Sequence, residues 1–97
     1  MKKKDVAKIK IYIAGKITDE PDYKTNFQLG ANKFPNHIIL MPSVLPEKMT
    51  RADYMRICFA MIDSADKVAF LPNWKESPGA QVEHEYCRYI GKVIIYL

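Results

Sequence analysis

The sequence has little that would indicate a membrane, secreted or metal-binding protein. No apolar run approaches the roughly 20 residues that a transmembrane helix needs, and the apolar residues 9–15 are too few for a secretory signal. The two cysteines, Cys58 and Cys87, form no Cys-x-x-Cys pair, which argues against the common zinc and redox motifs. We therefore expect a cytoplasmic protein without a cofactor, in which both thiols are buried as small apolar residues.

The formal net charge is +4 and the pI is about 9.1, but the excess positive charge is confined to the first ten residues. Residues 1–10 contain five lysines and one aspartate, and the remainder contains ten basic and ten acidic side chains. We interpret residues 1–7 as a basic N-terminal tail. The sequence therefore predicts no basic face for a nucleic-acid polymer, and we expect no membrane partner either.

Length and composition allow one hydrophobic core. The 97 residues are 48% hydrophobic and 27% charged, as in ordinary folded domains. Residues 8–14, 37–41, 67–71 and 93–97 are short apolar segments that predict strands. Three stretches between them have apolar residues at helical spacing. Their predicted stripes are Tyr23, Phe27, Ala31 and Phe34; Tyr54, Ile57, Cys58, Met61 and Ala65; and Val82, Tyr86, Tyr89 and Ile90.

The order of these elements predicts a single α/β domain over residues 1–97. Thr50 and the pair Ser77-Pro78 predict the starts of the second and third helices, and Gly91 predicts the end of the third. Alternating strands and helices imply a four-stranded parallel sheet in a small flavodoxin-like or Rossmann-like three-layer sandwich, with strand order 2-1-3-4. Ligands of such sheets lie beyond the carboxyl ends of the strands.

Two segments at that edge suggest an anion site. Gly15 allows a ligand to approach the backbone closely, and Lys16 follows it, although a turn glycine and a solvated lysine fit the same pattern. Neither a dinucleotide-binding glycine motif nor a P-loop is present. Ser77 and Gly79 stand at the start of the third helix, whose free N–H groups favour an anion.

Three further residues near that edge have two interpretations each. Glu83, almost two turns into the third helix, either points into the pocket or is a surface carboxylate. Trp74 either stacks on a base or sugar, or covers the sheet edge as a hydrophobic plug. His84 is expected on the surface, as is Glu85, and Asp66 is expected to be a cap or turn residue.

Taken in order, these motifs resemble those of the nucleoside 2-deoxyribosyltransferase-like superfamily, and in particular its small DUF4406-type branch, which is common in phages and bacteria. The resemblance rests on Tyr12-Ile13-Ala14-Gly15, on Pro42, on Ala65-Asp66 before residues 68–71, and on Ser77-x-Gly79-x-x-x-Glu83. It implies that Glu83 is a nucleophile at C1′ of a nucleoside or nucleotide, that Ser77 holds a 5′-phosphate, and that Tyr12 and Gly15 line the pocket. The implied activity is that of an N-glycosidase or deoxyribosyltransferase.

The chain also departs from the pattern that the resemblance implies. Catalytic members often have an aspartate on the second helix where this chain has Cys58, and transferases have a further C-terminal segment that a neighbouring subunit receives, whereas this sequence stops at Leu97. The alternative is a non-catalytic nucleotide-binding module, such as a phage protein that sequesters a nucleotide. In either case we expect a small-molecule ligand and a homo-oligomer, because the predicted sheet has two open edges.

Overall fold

The computed structural model describes residues 8–97, and the predicted basic tail lies outside these residues. The strands are β1 (Lys10–Ala14), β2 (Ile38–Leu40), β3 (Lys67–Phe70) and β4 (Val93–Tyr96), and the helices are α1 (Tyr23–Ala31), α2 (Arg51–Ser64) and α3 (Pro78–Ile90). Short 3₁₀ turns follow β2 at Pro42–Val44 and β3 at Trp74–Glu76. None of the described helices combines the length and apolar character required to cross a membrane.

The four strands form one parallel sheet in the order β2-β1-β3-β4, which confirms the predicted strand order. Tyr12 at the centre of β1 is in register with Leu40 of β2 and Val68 of β3. The chain leaves β1 toward β2 on one side and then crosses to β3 on the other. The strand order therefore reverses between β1 and β3, where ligands of such sheets bind.

Helices cover both faces of the sheet and complete the predicted three layers. Alternate residues of β1 point to opposite faces. Tyr12 belongs to the core cluster that also includes residues of α2 and α3. Ile11 and Ile13 pack instead with Phe27 of α1. Both core clusters thus depend on β1, which is buried from Ile11 to Ala14.

Helix caps appear where the sequence predicts them. Thr50 Oγ1 accepts a hydrogen bond from the Asp53 backbone N–H at 3.1 Å, and Ser77 Oγ accepts one from the Ala80 N–H at 3.2 Å. Gly91 ends α3 in the left-handed conformation with φ of 77°, which glycine adopts without a steric penalty. The α3 cap fixes the start of the helix that carries Glu83.

The predicted apolar stripe of α3 packs against the core only at Tyr86. Its members Val82 and Tyr89 are 49% and 92% exposed. The buried residues of α3 are Ala80, Glu83, His84 and Cys87. Two polar side chains can face inward because strand residues satisfy them: the Tyr12 hydroxyl donates to Glu83, and the Tyr96 hydroxyl lies within hydrogen-bonding distance of His84.

Candidate functional site

A buried carboxylate bonded to a buried phenol forms the centre of the candidate site. Glu83 lies in the second turn of α3 and is 6% exposed, whereas Tyr12 of β1 is fully buried. The Tyr12 hydroxyl donates a hydrogen bond to Glu83 Oε2 at 3.2 Å. This excludes the surface-carboxylate interpretation of Glu83. The two residues are 71 positions apart in sequence, and α3 brings them together because its Cys87 packs in the same core cluster as Tyr12 and Val68.

The protonation of Glu83 changes near neutral pH. Burial raises the pKa of Glu83 to about 7, while hydrogen bonds from Tyr12 and Cys58 act in the opposite direction. Burial disfavours the charged form of a carboxyl group, so this side chain exists in both forms around pH 7. A buried carboxyl group whose pKa is raised in this way is typical of functional sites.

The thiols near Glu83 remain protonated. Cys58 of α2 is 3% exposed, and burial, followed by the charge of Glu83, raises its pKa to about 12. Burial is also the main reason why the pKa of Cys87 rises to about 11. Both cysteines are free and buried, as predicted. Cys58 is thus a neutral neighbour of Glu83 and a weak acid at neutral pH.

Lys16 connects the loops that follow β1 and β3. Its backbone N–H donates to Asn73 Oδ1 at 3.1 Å, and its Nζ lies 3.9 Å from Glu76 Oε1. The sequence does not predict this contact of Asn73, although Asn73 lies only three residues after the end of β3, at the edge where a ligand is expected. The two loops are therefore held together at the point where the strand order reverses.

Ser77 and Gly79 begin α3 at the same edge. Ser77 Oγ accepts from the Ala80 N–H, which leaves the hydroxyl proton available to a ligand oxygen. A Cβ atom added to Gly79 would lie 3.7 Å from Met55 Cε, an ordinary van der Waals distance. Packing therefore does not require glycine at position 79.

Packing does require glycine at position 15. A Cβ atom there would lie 2.6 Å from Leu71 Cδ1 and 3.0 Å from Leu71 Cβ. Leu71 is 4% exposed and belongs to the core on the α1 side, so it has little room to move. Gly30 of α1 meets the same side chain, because a Cβ atom at Gly30 would lie 2.7 Å from Leu71 Cδ2.

We expect Gly15→Ala to destabilise the protein by about 1–3 kcal/mol, the usual cost of overpacking a core. Gly79→Ala is the matched control and should change stability by less than about 1 kcal/mol, because its added methyl group has space. Urea unfolding monitored by circular dichroism measures both effects. Equal stabilities of the two variants would contradict the packing argument for Gly15.

Trp74 packs as part of an aromatic cluster beyond β3 and β4. Its ring stacks on His84 with a centroid distance of 4.2 Å and an interplanar angle of 23°. Phe70 meets both rings edge-on. His84 Nε2 lies 2.6 Å from the Tyr96 hydroxyl. The expectation that His84 is a surface residue is therefore wrong, because three aromatic partners bury it to 9% exposure.

The family of this chain follows from its sequence. Residues 9–96 match DUF4406, a domain of unknown function. The chain belongs to this family. No curated protein matches the sequence.

A solved structure shows which known fold the DUF4406 domain shares. A 2-deoxyribosyltransferase from Leishmania mexicana superposes with a TM-score of 0.67 at 21% sequence identity, covering 92% of this chain. The DUF4406 domain corresponds to 63% of the length of that protein. The α/β fold expected from the resemblance is confirmed by this similarity.

Some features of the DUF4406 domain lie apart from Glu83. Asp66 accepts a hydrogen bond from the Lys10 backbone N–H at 2.8 Å, at the opposite end of β1 from Gly15, as expected for a turn residue. A cavity of about 440 Å³ lies between α1 and the segment after β2, and its lining includes Lys24, Ser43 and Glu47. Across residues 8–97 no group of three or more His, Cys, Asp or Glu side chains is placed to hold a metal ion.

Proposed function

We propose that this DUF4406 domain cleaves or transfers the N-glycosidic bond at C1′ of a nucleoside or nucleotide, with Glu83 as the nucleophile. The observation that supports this most strongly is the buried carboxylate of Glu83, held by Tyr12 at the reversal point of the strand order. A carboxylate in this environment is suited to stabilise and capture an oxocarbenium-like carbon.

The reaction has two displacement steps. In the first, a Glu83 carboxylate oxygen bonds to C1′ while the bond between C1′ and the base nitrogen breaks, and the bonding electron pair leaves with the base, which takes a proton from water. In the second, water or the nitrogen of another base attacks C1′, and the bond to Glu83 breaks. A proton leaves the attacking group, and the carboxylate of Glu83 is regenerated. Two displacements retain the configuration at C1′.

Tyr12 positions the nucleophile. Burial, followed by the charge of Glu83, raises the pKa of Tyr12 well above its ordinary value, so the phenol keeps its proton and remains a donor at neutral pH. Its bond to Oε2 fixes one carboxylate oxygen. The other oxygen, Oε1, is then the atom that we assign to attack.

The start of α3 and the Lys16 side chain support a phosphate at the 5′ position of the substrate. Ser77 offers its hydroxyl proton at the N-terminus of α3, where backbone N–H groups and the helix dipole favour an anion. Lys16 Nζ is paired only loosely with Glu76, whose side chain is 70% exposed. A phosphate group can replace that carboxylate as the partner of Lys16.

We expect Lys16→Met to raise KM for a nucleoside 5′-monophosphate about 10-fold or more, the effect of losing a charge-assisted hydrogen bond. KM for the corresponding nucleoside should change less than about 2-fold. Lys75→Met is the matched control, because Lys75 is an exposed lysine of the neighbouring turn. Steady-state kinetics with both substrates measures the difference, and equal effects on the two substrates would refute a phosphate contact.

Base release is the direct test of the proposed activity. The purified protein is incubated with a panel of deoxynucleosides, ribonucleosides and their 5′-monophosphates, and free base is quantified by liquid chromatography. We expect release from at least one substrate and none from a parallel sample of Glu83→Ala. Absence of free base from every substrate, or equal release by the variant, would show that the proposal is wrong.

A second candidate is a nucleotide-binding module without turnover, and Cys58 favours it. The pKa of about 12 makes this thiol a poor proton donor to a leaving base. Isothermal titration calorimetry with the same panel distinguishes the two candidates. Binding of a nucleotide that is recovered intact after prolonged incubation indicates the module, whereas recovery of the free base indicates the enzyme.

We propose a small-molecule nucleoside or nucleotide as the ligand, rather than a nucleic-acid polymer. The two free buried thiols fit a reducing compartment such as the cytoplasm. We also propose that the chain self-associates.

A further inference from the structure

The outward face of α3 carries an apolar stripe that nothing in the described part of the chain covers. Val82 and Tyr89 lie seven residues apart, so they stand on the same side of the helix, two turns from each other. They are 49% and 92% exposed. An exposed valine alone is ordinary, but a tyrosine exposed to this extent on the same face gives the stripe the composition of an interface core.

Charges of opposite sign accompany this stripe. Glu85 lies between the two apolar residues, and Arg88 lies beside Tyr89. Their side chains are 70% and 63% exposed and form a pair 3.4 Å apart within the helix. The outward face of α3 therefore contains one apolar residue near each end, with one acidic and one basic group between them.

We infer that this face binds a second copy of the same chain, with the two α3 helices antiparallel about a two-fold axis. In that arrangement Val82 contacts the partner's Tyr89, and the symmetry repeats the contact. Glu85 lies close to the partner's Arg88, which again occurs twice. A two-fold interface must be complementary to itself, and the pattern Val82, Glu85, Arg88, Tyr89 has this property when one helix is reversed.

The charge pattern favours a second copy over an unrelated partner. An acidic and a basic group at neighbouring positions cancel on the face as a whole, so no partner of one charge sign is attracted to it. An antiparallel second copy places a basic group opposite Glu85 and an acidic group opposite Arg88 at the same time. Val82 and Tyr89 lie about 100° and 120° around the helix from the buried Glu83, so the inference does not depend on the proposed reaction.

Sedimentation equilibrium of the full chain tests the interface. We expect the wild-type protein to dimerise and Tyr89→Glu to raise the dimer dissociation constant about 30-fold or more, as for a tyrosine at an interface centre. Leu29→Glu is the matched control, because Leu29 is a 58% exposed leucine on α1. A monomeric wild-type protein at 100 µM, or equal effects of the two variants, would overturn the inference.

Charge exchange tests which residues meet. Glu85→Arg and Arg88→Glu should each weaken self-association about 10-fold or more, because like charges then face each other twice. An equal mixture of the two variants should form a heterodimer, since every charge in the mixed pair has an opposite partner. Failure of the mixture to associate more tightly than either variant alone would overturn the assigned contacts.

Cysteine cross-linking tests the direction of the helices. A mixture of Val82→Cys and Tyr89→Cys should form an intermolecular disulfide on mild oxidation. Val82→Cys alone should react much more slowly, because two copies of position 82 are about 10 Å apart along antiparallel helices. Faster cross-linking of Val82→Cys alone would indicate parallel helices and contradict the inference.

Discussion

Glu83→Gln is expected to reduce base release by about 10³-fold or more, as removal of a catalytic nucleophile does in other enzymes. Glutamine matches the shape of the buried side chain and can still accept a hydrogen bond from the Tyr12 hydroxyl, which lies 3.2 Å from Glu83 Oε2. It cannot form the glycosyl intermediate. The substitution therefore removes the reacting group while it keeps the packing of α3.

The pH profile of the wild-type reaction provides a second measurement of the same role. In the proposed reaction only the ionised carboxylate attacks C1′, and the pKa of Glu83 is raised to about 7. The value of kcat/KM should therefore rise about tenfold per pH unit below pH 7 and become constant above it. An ordinary glutamate nucleophile would give a constant rate from about pH 5 upward.

A neighbouring glutamate on the same helix serves as the control for both measurements. Glu85 is exposed on the outer face of α3, so Glu85→Gln should retain both the rate and the profile. Mass spectrometry of the acid-quenched wild-type reaction should also find the sugar attached to the peptide that contains Glu83. If Glu83→Gln retained more than a tenth of the wild-type rate, Glu83 would not be the nucleophile.

The second large effect concerns stability, and here Glu83→Gln should improve the protein. At pH 8 we expect the variant to have a free energy of unfolding higher than that of the wild type by up to about 3 kcal/mol. This is the upper limit set by a rise in the pKa of Glu83 from 4.5 to about 7. Glutamine is neutral, so its burial carries no cost of desolvating a charge.

The direction of this pH dependence of stability follows from how the folded and the unfolded chain bind the proton of Glu83. Below pH 4.5 Glu83 is protonated in both the folded and the unfolded chain, and its burial costs least. As the pH rises to about 7, the unfolded chain loses this proton first, so the folded state loses stability. Above pH 7 both states are ionised, and the penalty remains constant.

Urea unfolding at several pH values between 4 and 9 measures this dependence. The difference in stability between wild type and Glu83→Gln should be small at pH 4 and largest above pH 7. A Glu83→Gln variant less stable than wild type at pH 8 would show that ionised Glu83 is stabilised in the folded state. Together the two predictions describe a residue whose proposed role in catalysis lowers the stability of the fold.

Most of the fold could be predicted because its signals are local. Short apolar runs predicted four strands, and each lies within the predicted residues. Ser77-Pro78 predicted the start of α3 because capping depends on the next three residues only. The alternation of strands and helices then predicted strand order 2-1-3-4, since right-handed crossovers leave few arrangements.

The buried face of α3 could not be predicted from helical spacing. An apolar stripe is expected to face the core, whereas α3 turns Glu83 and His84 inward. Their partners, Tyr12 and Tyr96, lie on strands of the sheet, and no local pattern links them. The contact between Lys16 and Asn73 spans 57 residues and was missed for the same reason. Local sequence patterns thus predict the edge of the sheet near the candidate site but not the contacts within that site.

The position of Leu71 has a consequence for how this family varies. Its two methyl groups each meet a glycine, with Cδ1 at Gly15 and Cδ2 at Gly30, and neither glycine could gain a Cβ atom without displacing the leucine. The side chains at positions 15, 30 and 71 therefore share one limited space, in which an added methyl group at either glycine requires a smaller residue at position 71. Relatives with a smaller residue at position 71 should be free to carry alanine at position 15 or 30, so these positions should covary across an alignment. Since position 15 directly follows the strand that carries Tyr12, such an exchange would reshape the entrance of the candidate site without altering Glu83 itself.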